Sequence, residues 1–390
     1  MQFGIDAINF YTSKYYLDLQ TLAMARDATP TKFSEELGQY RMSVAPPSED
    51  LITMAANSVD TLLTTENIGK IELIIFATES SVDAAKSAAT HVHRMFSLPK
   101  RCRSVEIKQA CYGATFGLQM ALAWLRQNEN KQALLIASDI ARYGLYTAAE
   151  ASQGCGAIAM LLSANPRLIA IEGHAGFCTR ETMDFWRPNY LDYALVDGRL
   201  SCDAYMRLAE ESFGQYLTLN GRQFNDHDHF CYHMPIARLV ESTHKKLARL
   251  QRSLLSRELC ERQIRNGLIY GRAIGNCYTA SLYLGILSLL ENSDDDLSNR
   301  LIGLYSYGSG SVAEFFAAKV IRDYRDHLPR QHTGKILERR RELSVDDYEK
   351  WHGFQLPISG ENFEFSEKWD TGKFRLKGVS DHQRIYERSE

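Results

Sequence analysis

No Cys-x-x-Cys pair occurs in the 390 residues, although there are eight cysteines, at positions 102, 111, 155, 178, 202, 231, 260 and 277. That scatter argues against a zinc site and against the disulfide framework of a small secreted domain. No apolar run approaches the ~20 residues that a membrane span needs. The opening Met-Gln-Phe-Gly-Ile-Asp does not read as a signal peptide. A cytoplasmic protein with no membrane partner is therefore the expectation. Charge of one sign is also lacking: 45 Lys and Arg face 48 Asp and Glu, for a net charge of −3 with no basic tail. Nucleic acid is not an expected partner. At 45% hydrophobic and 24% charged residues the composition is that of an ordinary globular protein. The length suggests two domains or one duplicated domain.

Periodicity predicts a strand over 3–9 and a helix over 17–26. The stretch 29–50 holds Pro30, Gly38, Pro46 and Pro47, which predicts loop with at most a short helix. A helix over 50–65 precedes a buried strand over 71–78, read from its continuous apolar run. That strand ends at Glu79, and a helix follows Ser81 through His93. A short strand over 104–108 runs into Cys111 and an almost wholly apolar helix to Leu125. Strands over 133–138 and 157–162 close a first half near Pro166. Residues 178–225, polar and aromatic, read as an inserted loop-and-helix region.

Then the pattern returns. A strand over 229–233 is stopped by Pro235 and followed by a helix over 236–255. Gly275-Asn-Cys-Tyr-Thr-Ala opens an apolar helix to Leu290 and echoes Cys111-Tyr-Gly-Ala-Thr. After a strand over 300–306, Gly308-Ser-Gly-Ser-Val-Ala echoes Gly154-Cys-Gly-Ala-Ile-Ala. Similar pieces in the same order argue for a duplicated half-domain, 1–166 and 167–390, with 178–225 inserted in the second. The charged run Leu337-Glu-Arg-Arg-Arg-Glu-Leu343 reads as a solvated helical face, and Phe374 begins a strand.

Cys111 stands where strand becomes helix. A thiol facing unpaired N–H groups and the positive end of a helix has its pKa lowered from about 8.5 toward roughly 3.5–7.5. The same residue also reads as a small buried hydrophobe. Glu79, at the carboxyl end of a buried strand, lies where open α/β sheets put ligands, or else it is a helix N-terminal charge. The two halves place Glu79, Cys111, His233 and Asn276 at corresponding element ends, where all four can converge. Cysteine beside a base is the logic of covalent acyl transfer, and a further carboxylate suggests proton abstraction. The Gly308-Ser309-Gly310 loop offers N–H groups to an oxyanion. The rival cluster is Asp226-His227-Asp228-His229. In a strand it splits its histidines and aspartates between faces, and no third-ligand motif accompanies it, so a metal is not expected.

These residues carry a resemblance. Ala77-Thr-Glu-Ser80, Ala110-Cys-Tyr-Gly113, Ser138-Asp-Ile-Ala-Arg-Tyr-Gly144, Phe185-Trp-Arg-Pro188, Tyr232-His-Met-Pro235, Gly275-Asn-Cys-Tyr-Thr-Ala280 and Ser306-Tyr-Gly-Ser-Gly310 occur in order. The chain closely resembles the 3-hydroxy-3-methylglutaryl-CoA (HMG-CoA) synthases of bacterial type, over nearly its whole length. The resemblance implies a thiolase fold, α/β with duplicated half-domains in a five-layered α-β-α-β-α arrangement, and a homodimer. It implies an acyltransferase of the mevalonate route to isoprenoids that condenses acetyl-CoA with acetoacetyl-CoA and needs no cofactor. Cys111 matches the acetylated nucleophile, Glu79 the carboxylate that moves protons, and His233 the group that holds the acetoacetyl thioester. Asn276, Ser309 and Tyr143 match residues lining the pocket.

Lys32, Arg199, Arg238, Lys245 and Lys246 are candidates for the coenzyme phosphates; Arg238 is the best of them, since it matches a basic position after the family's histidine motif, and each of the others reads more simply as surface charge. Thr29-Pro30, Ala149-Glu-Ala-Ser-Gln-Gly154 and Cys155 depart from the family's usual pattern, in loops expected near the coenzyme mouth. Other readings stay open: a relative of polyketide β-branching that takes the acetoacetyl group on an acyl-carrier protein, a simpler condensing enzyme of the same fold, and a non-catalytic scaffold.

Overall fold

The continuous apolar runs become the inner strands of one nine-stranded sheet in the computed structural model, which describes residues 1–251 and 256–389. Numbering only the strands of this sheet, they are β1 Phe3–Tyr11, β2 Ile71–Ala77, β3 Arg103–Ile107, β4 Gln132–Ile140, β5 Cys155–Ala164, β6 Ile169–Thr179, β7 His229–Tyr232, β8 Leu301–Gly308 and β9 Val312–Val320. Their spatial order is β7-β8-β9-β6-β1-β5-β4-β2-β3. On one flank β2 runs parallel to β3 and β4, while β5 is antiparallel to β4 and β1. On the other flank β7 is parallel to β8, while β9 is antiparallel to β8 and β6. The flanks join where β1 meets β6, through Gly4–Ala170 and Ile5–Ile169 alone. Read outward from that junction, the two flanks share one topology, and among the described residues β3 has no counterpart.

Alternation along the strands separates two faces. Ile75 and Leu135 from one flank, with Leu304 and Phe316 from the other, share a core around the helices Gly113–Leu125 and Ser281–Asn292. Both helices are apolar on nearly every side, as a central layer requires. The opposite residues, Ile74, Phe76 and Ile136, pack on the Leu51–Val59 and Ala88–Met95 helices. Tyr305, Phe315 and Ala317 pack on Gly198–Asn220 and Ala237–Leu250. The result is helix, sheet, helix, sheet, helix: a thiolase-like α/β fold. No helix among the described residues is long and apolar enough to cross a membrane.

Several sequence expectations are corrected by tertiary pairing. The 17–26 helix is divided: Tyr15–Asp18 is a strand, and only Leu19–Ala25 is helical, capped by Asp18. That strand lies between Arg41–Ser43 and Arg341–Glu342 in a side sheet, which gives the 29–50 stretch more order than its prolines suggested. The 50–65 helix ends at Val59; its start is fixed by the reciprocal Asp50–Thr53 capping box, a device worth about 1 kcal/mol. The 337–343 run is not a solvated helical face. Arg340 is buried, donating to Ser43 Oγ (2.7 Å) and the Ala273 carbonyl (2.8 Å) and lying over the Tyr16 ring. Burial pulls its pKa down to about 10. Residues 178–179, read as insertion, complete β6. The 236–255 helix runs over Ala237–Leu250, and residues 252–255 lie outside the described residues. The long helix Arg257–Ile274 was not foreseen.

Candidate active site

Glu79 leaves the end of β2, and Cys111 lies in the loop after β3, two residues ahead of the Gly113–Leu125 helix. Their side chains meet: the Cys111 sulfur stands 3.9 and 4.0 Å from the two Glu79 carboxylate oxygens. Cys111 is only 8% exposed. The helix after Glu79 begins at Ala88 with Ser87 as its cap, so Glu79 is not a helix N-terminal charge.

Asp139, near the end of β4, holds this corner. Its Oδ1 accepts from Thr78 Oγ1 (2.7 Å), the Glu79 N–H (2.9 Å), the Ser80 N–H (3.1 Å) and Ser80 Oγ (2.8 Å). Its Oδ2 accepts from the N–H (3.1 Å) and hydroxyl of Thr279, on the other flank. One buried carboxylate therefore fixes both the strand end that presents Glu79 and the turn after Asn276. Sequence reading quoted Asp139 only inside a motif. Its signal was available, since it ends a buried strand just as Glu79 does.

The electrostatics overturn one expectation. Burial, then the charges of Glu79, Asp139 and Asp184, push the Cys111 thiol well above its ordinary range, where a lowered value was predicted. Burial is the largest cause, and the helix begins only at Gly113, two residues past the thiol. Glu79 is raised well above the carboxylate range by burial and by Asp139. Burial and the neighbouring carboxylates thus disfavour negative charge on both groups.

From the second flank, His233 follows β7. Its N–H donates to the Tyr305 carbonyl (2.7 Å), and its own carbonyl accepts the Tyr205 hydroxyl (2.6 Å). Burial lowers the imidazole pKa to about 3, which makes it a neutral hydrogen-bonding group at physiological pH. Asn276 follows Gly275, whose φ of +91° and whose contact with the Gln153 carbonyl, 1.9 Å from where a Cβ would sit, admit only glycine. The Asn276 Oδ1 accepts from the Tyr278 N–H (2.8 Å) and Ser281 Oγ (2.9 Å), and its amide group also pairs with the Tyr143 hydroxyl.

The turn after β8 reaches the Cys111 loop directly. A Cβ on Gly308 would lie 2.6 Å from the Gln109 carbonyl and 2.7 Å from the Tyr112 nitrogen. Ser309 follows, its carbonyl accepting from Gln109 Nε2 (3.4 Å). Buried Asp184 anchors the turn through the Gly310 N–H (2.9 Å) and the Tyr307 hydroxyl (2.6 Å). Tyr143, Phe185 and Tyr278 stand edge to face, with centroids 5.8–6.3 Å apart, and pack in one apolar cluster with Cys111. Phe185, Tyr278 and Asp184 had no role in the sequence reading.

Lys32 and Arg238 are not among the residues that touch Cys111. They lie where the short Lys32–Glu36 helix meets Ala237–Leu250: Arg238 donates to the Glu35 carbonyl (2.9 Å) and pairs with Glu241 (2.8 Å). Arg199 is exposed at the head of Gly198–Asn220, and Lys246 pairs with Glu210. Of the departures, Glu150 is a buried partner of Arg26 (2.7 Å), and the Cys155 thiol is buried and pushed up to about 12. His227 closes a turn ahead of β7 and bonds Tyr216, so the alternation argument covers only the residues from His229 onward. No three His, Cys, Asp or Glu side chains form a metal-binding group among the described residues.

A duplicated α/β fold with a cysteine and a carboxylate at its strand ends defines a thiolase-like condensing enzyme. Residues 1–166 match the hydroxymethylglutaryl-coenzyme A synthase N-terminal family and residues 248–352 its C-terminal counterpart. The chain is 40% identical to the hydroxymethylglutaryl-CoA synthase of Enterococcus faecalis, over 90% of this chain and 91% of that one. It is 33% identical to the polyketide biosynthesis 3-hydroxy-3-methylglutaryl-ACP synthase PksG of Bacillus subtilis, over 89% and 87%. A crystal structure of an HMG-CoA synthase complexed with CoA superposes with a TM-score of 0.95 at 38% identity, covering all of both chains. The chain belongs to the hydroxymethylglutaryl-CoA synthase family, and it is an acyl-transferring condensing enzyme.

Proposed function

We propose that this enzyme joins acetyl-CoA to acetoacetyl-CoA, giving HMG-CoA and free CoA for the mevalonate route, through an acetyl group carried on Cys111. The observation that carries this reading is the Cys111–Glu79 pair, sulfur to carboxylate at 3.9 Å. The sulfur attacks the acetyl carbonyl as its proton leaves for the departing CoA sulfur. Glu79, its own proton released to solvent, then takes a proton from the acetyl methyl as a carboxylate, and the resulting enolate adds to the ketone carbon of the acetoacetyl group. Glu79 returns the proton to the new alkoxide. Neutral His233 and Asn276 donate hydrogen bonds to the acetoacetyl thioester, while the Ser309 turn and Tyr143 border the reacting carbons. Finally water cleaves the enzyme thioester. Lys32 and Arg238 would meet the coenzyme phosphates. The halves carrying these roles are 1–166 and 167–390, and a cytoplasmic location belongs to the same reading.

The likeness to PksG favours a second reading, in which the acetoacetyl partner arrives on an acyl-carrier protein. Rates with acetoacetyl-CoA and with an acetoacetyl carrier decide between them. The coenzyme form is expected to react faster by about tenfold or more in kcat/KM, with His233→Ala raising KM for it while acetylation persists. A faster reaction with the carrier would reverse the assignment.

A homodimer is also part of the proposal. β3 ends the large sheet with Val105 exposed, and the adjoining helix exposes Phe116 and Met120. An open edge beside apolar side chains is what a second copy would cover. Light scattering should give twice the chain mass, and Val105→Lys with Met120→Glu should halve it. A monomeric unmodified protein would refute the dimer.

A further inference from the structure

We infer that Tyr205 is a positioning residue for His233: its hydroxyl closes a ring of hydrogen bonds around the His233 main chain, and that ring aims the imidazole at the acetoacetyl group. The inference rests on the role proposed above for His233. Three bonds make the ring. The Tyr205 hydroxyl donates to the His233 carbonyl (2.6 Å), the His233 N–H donates to the Tyr305 carbonyl (2.7 Å), and the Tyr305 hydroxyl donates back to the Tyr205 carbonyl (2.9 Å). Both main-chain polar groups of His233 are therefore occupied, by two tyrosines that are themselves tied together.

A histidine ring is ordinarily aimed by a hydrogen bond at its second nitrogen. Among the described residues, His233 takes part in hydrogen bonds through its main chain alone, although it is only 2% exposed. Its direction is left to packing and to the peptide groups on either side. β7 ends at Tyr232, and the Tyr205 hydroxyl takes the carbonyl just past the end of the strand.

Tyr205 is a stiff support. It is fully buried in the Gly198–Asn220 helix, and its ring stands edge-on to Tyr305 and Tyr307 with centroids 5.0 and 5.2 Å away. Tyr307 in turn donates to Asp184, the anchor of the Ser309 turn. The helix that sequence reading took for part of an insertion thus reaches the second-flank half of the site. Hydrogen bonds weaken steeply with angle, so a His233 peptide free to turn would hold the acetoacetyl thioester less well. Acetyl transfer to Cys111 does not draw on His233 and should not feel the change.

Tyr205→Phe removes one oxygen and keeps the ring packing. It is expected to leave acetylation of Cys111 within about twofold and to raise KM for acetoacetyl-CoA about tenfold. In a His233→Ala background the same substitution should raise KM no further, because a residue that acts through another is silent once the other is gone. Tyr305→Phe breaks the bond one step removed from His233 and tests the ring by a second route, with a smaller rise expected. Tyr216→Phe, in the same helix and apolar core, loses a hydroxyl bonded to His227 and Arg222 and should change neither step. An unchanged KM in Tyr205→Phe, or an equal rise with and without His233, would overturn the positioning role. Acetylation slowed in parallel would make Tyr205 a general support of the fold and overturn it too. A His233→Ala variant with unaltered KM for acetoacetyl-CoA would instead overturn the role proposed for His233 itself.

Discussion

Protein carrying Cys111→Ser should take up no acetyl group from acetyl-CoA, where the unmodified chain takes up one. Serine keeps the size and position of the side chain but not its acidity, and the site works against any anion. Burial and three nearby carboxylates already push the thiol upward, and a hydroxyl starts far higher. Turnover should fall by about 10⁴-fold or more, the scale seen when a nucleophile is lost. No other cysteine is placed to substitute. Cys155 and Cys277 are fully buried, with thiols raised by that burial, and neither stands beside Glu79. Peptide mapping that found the acetyl group on either of them would sink the assignment.

Glu79→Gln should separate the steps. The amide keeps the shape and some hydrogen bonding but cannot take a proton from a methyl group. Acetylation should persist, while condensation falls by about 10²–10⁴-fold, the range for a removed general base. The same variant tests the electrostatics, and the sign follows from the site. The negative charge of the Glu79 carboxylate holds the sulfur's proton on, so the thiol pKa is raised. Removing that charge lowers the thiol pKa, although burial, Asp139 and Asp184 still keep it above the usual range. Alkylation of Cys111 by iodoacetamide at mildly alkaline pH should therefore be several-fold faster in Glu79→Gln than in the unmodified protein. Condensation at the unmodified rate, or slower alkylation, would make Glu79 structural and the proposed mechanism wrong.

Much of this architecture was legible because the decisive elements are long and buried. The runs at 71–78 and 133–138 are apolar without alternation, and both became central strands. The echo between Cys111-Tyr-Gly and Asn276-Cys-Tyr predicted a duplication, and the two flanks of the sheet share a topology. Local signals failed where distant partners decide. Tyr15–Asp18 looks helical until Arg41–Ser43 and Arg341–Glu342 pair with it from far along the chain. Arg340 sits in a run of charges that reads as surface, yet Ser43, Ala273 and Tyr16 enclose it. At the site, the side chains proposed to react stood out by residue type at strand ends. Their supports did not. Asp139 and Asp184 act through hydrogen bonds to residues far away in sequence, and the Cys111 environment depends on burial and on three carboxylates, Glu79, Asp139 and Asp184, drawn from distant parts of the chain.

The mixed central layer has a thermodynamic meaning for the whole molecule. The helices Gly113–Leu125 and Ser281–Asn292 lie in one core with strands of both flanks. Neither flank can be peeled away without baring a helix that has almost no polar side to show water. The cost of separating them would approach that of melting each, which couples their order into one cooperative event. Catalytic competence in such a molecule is an all-or-nothing property: a chain with its first half ordered and its second half loose would have no reduced form of the activity to fall back on.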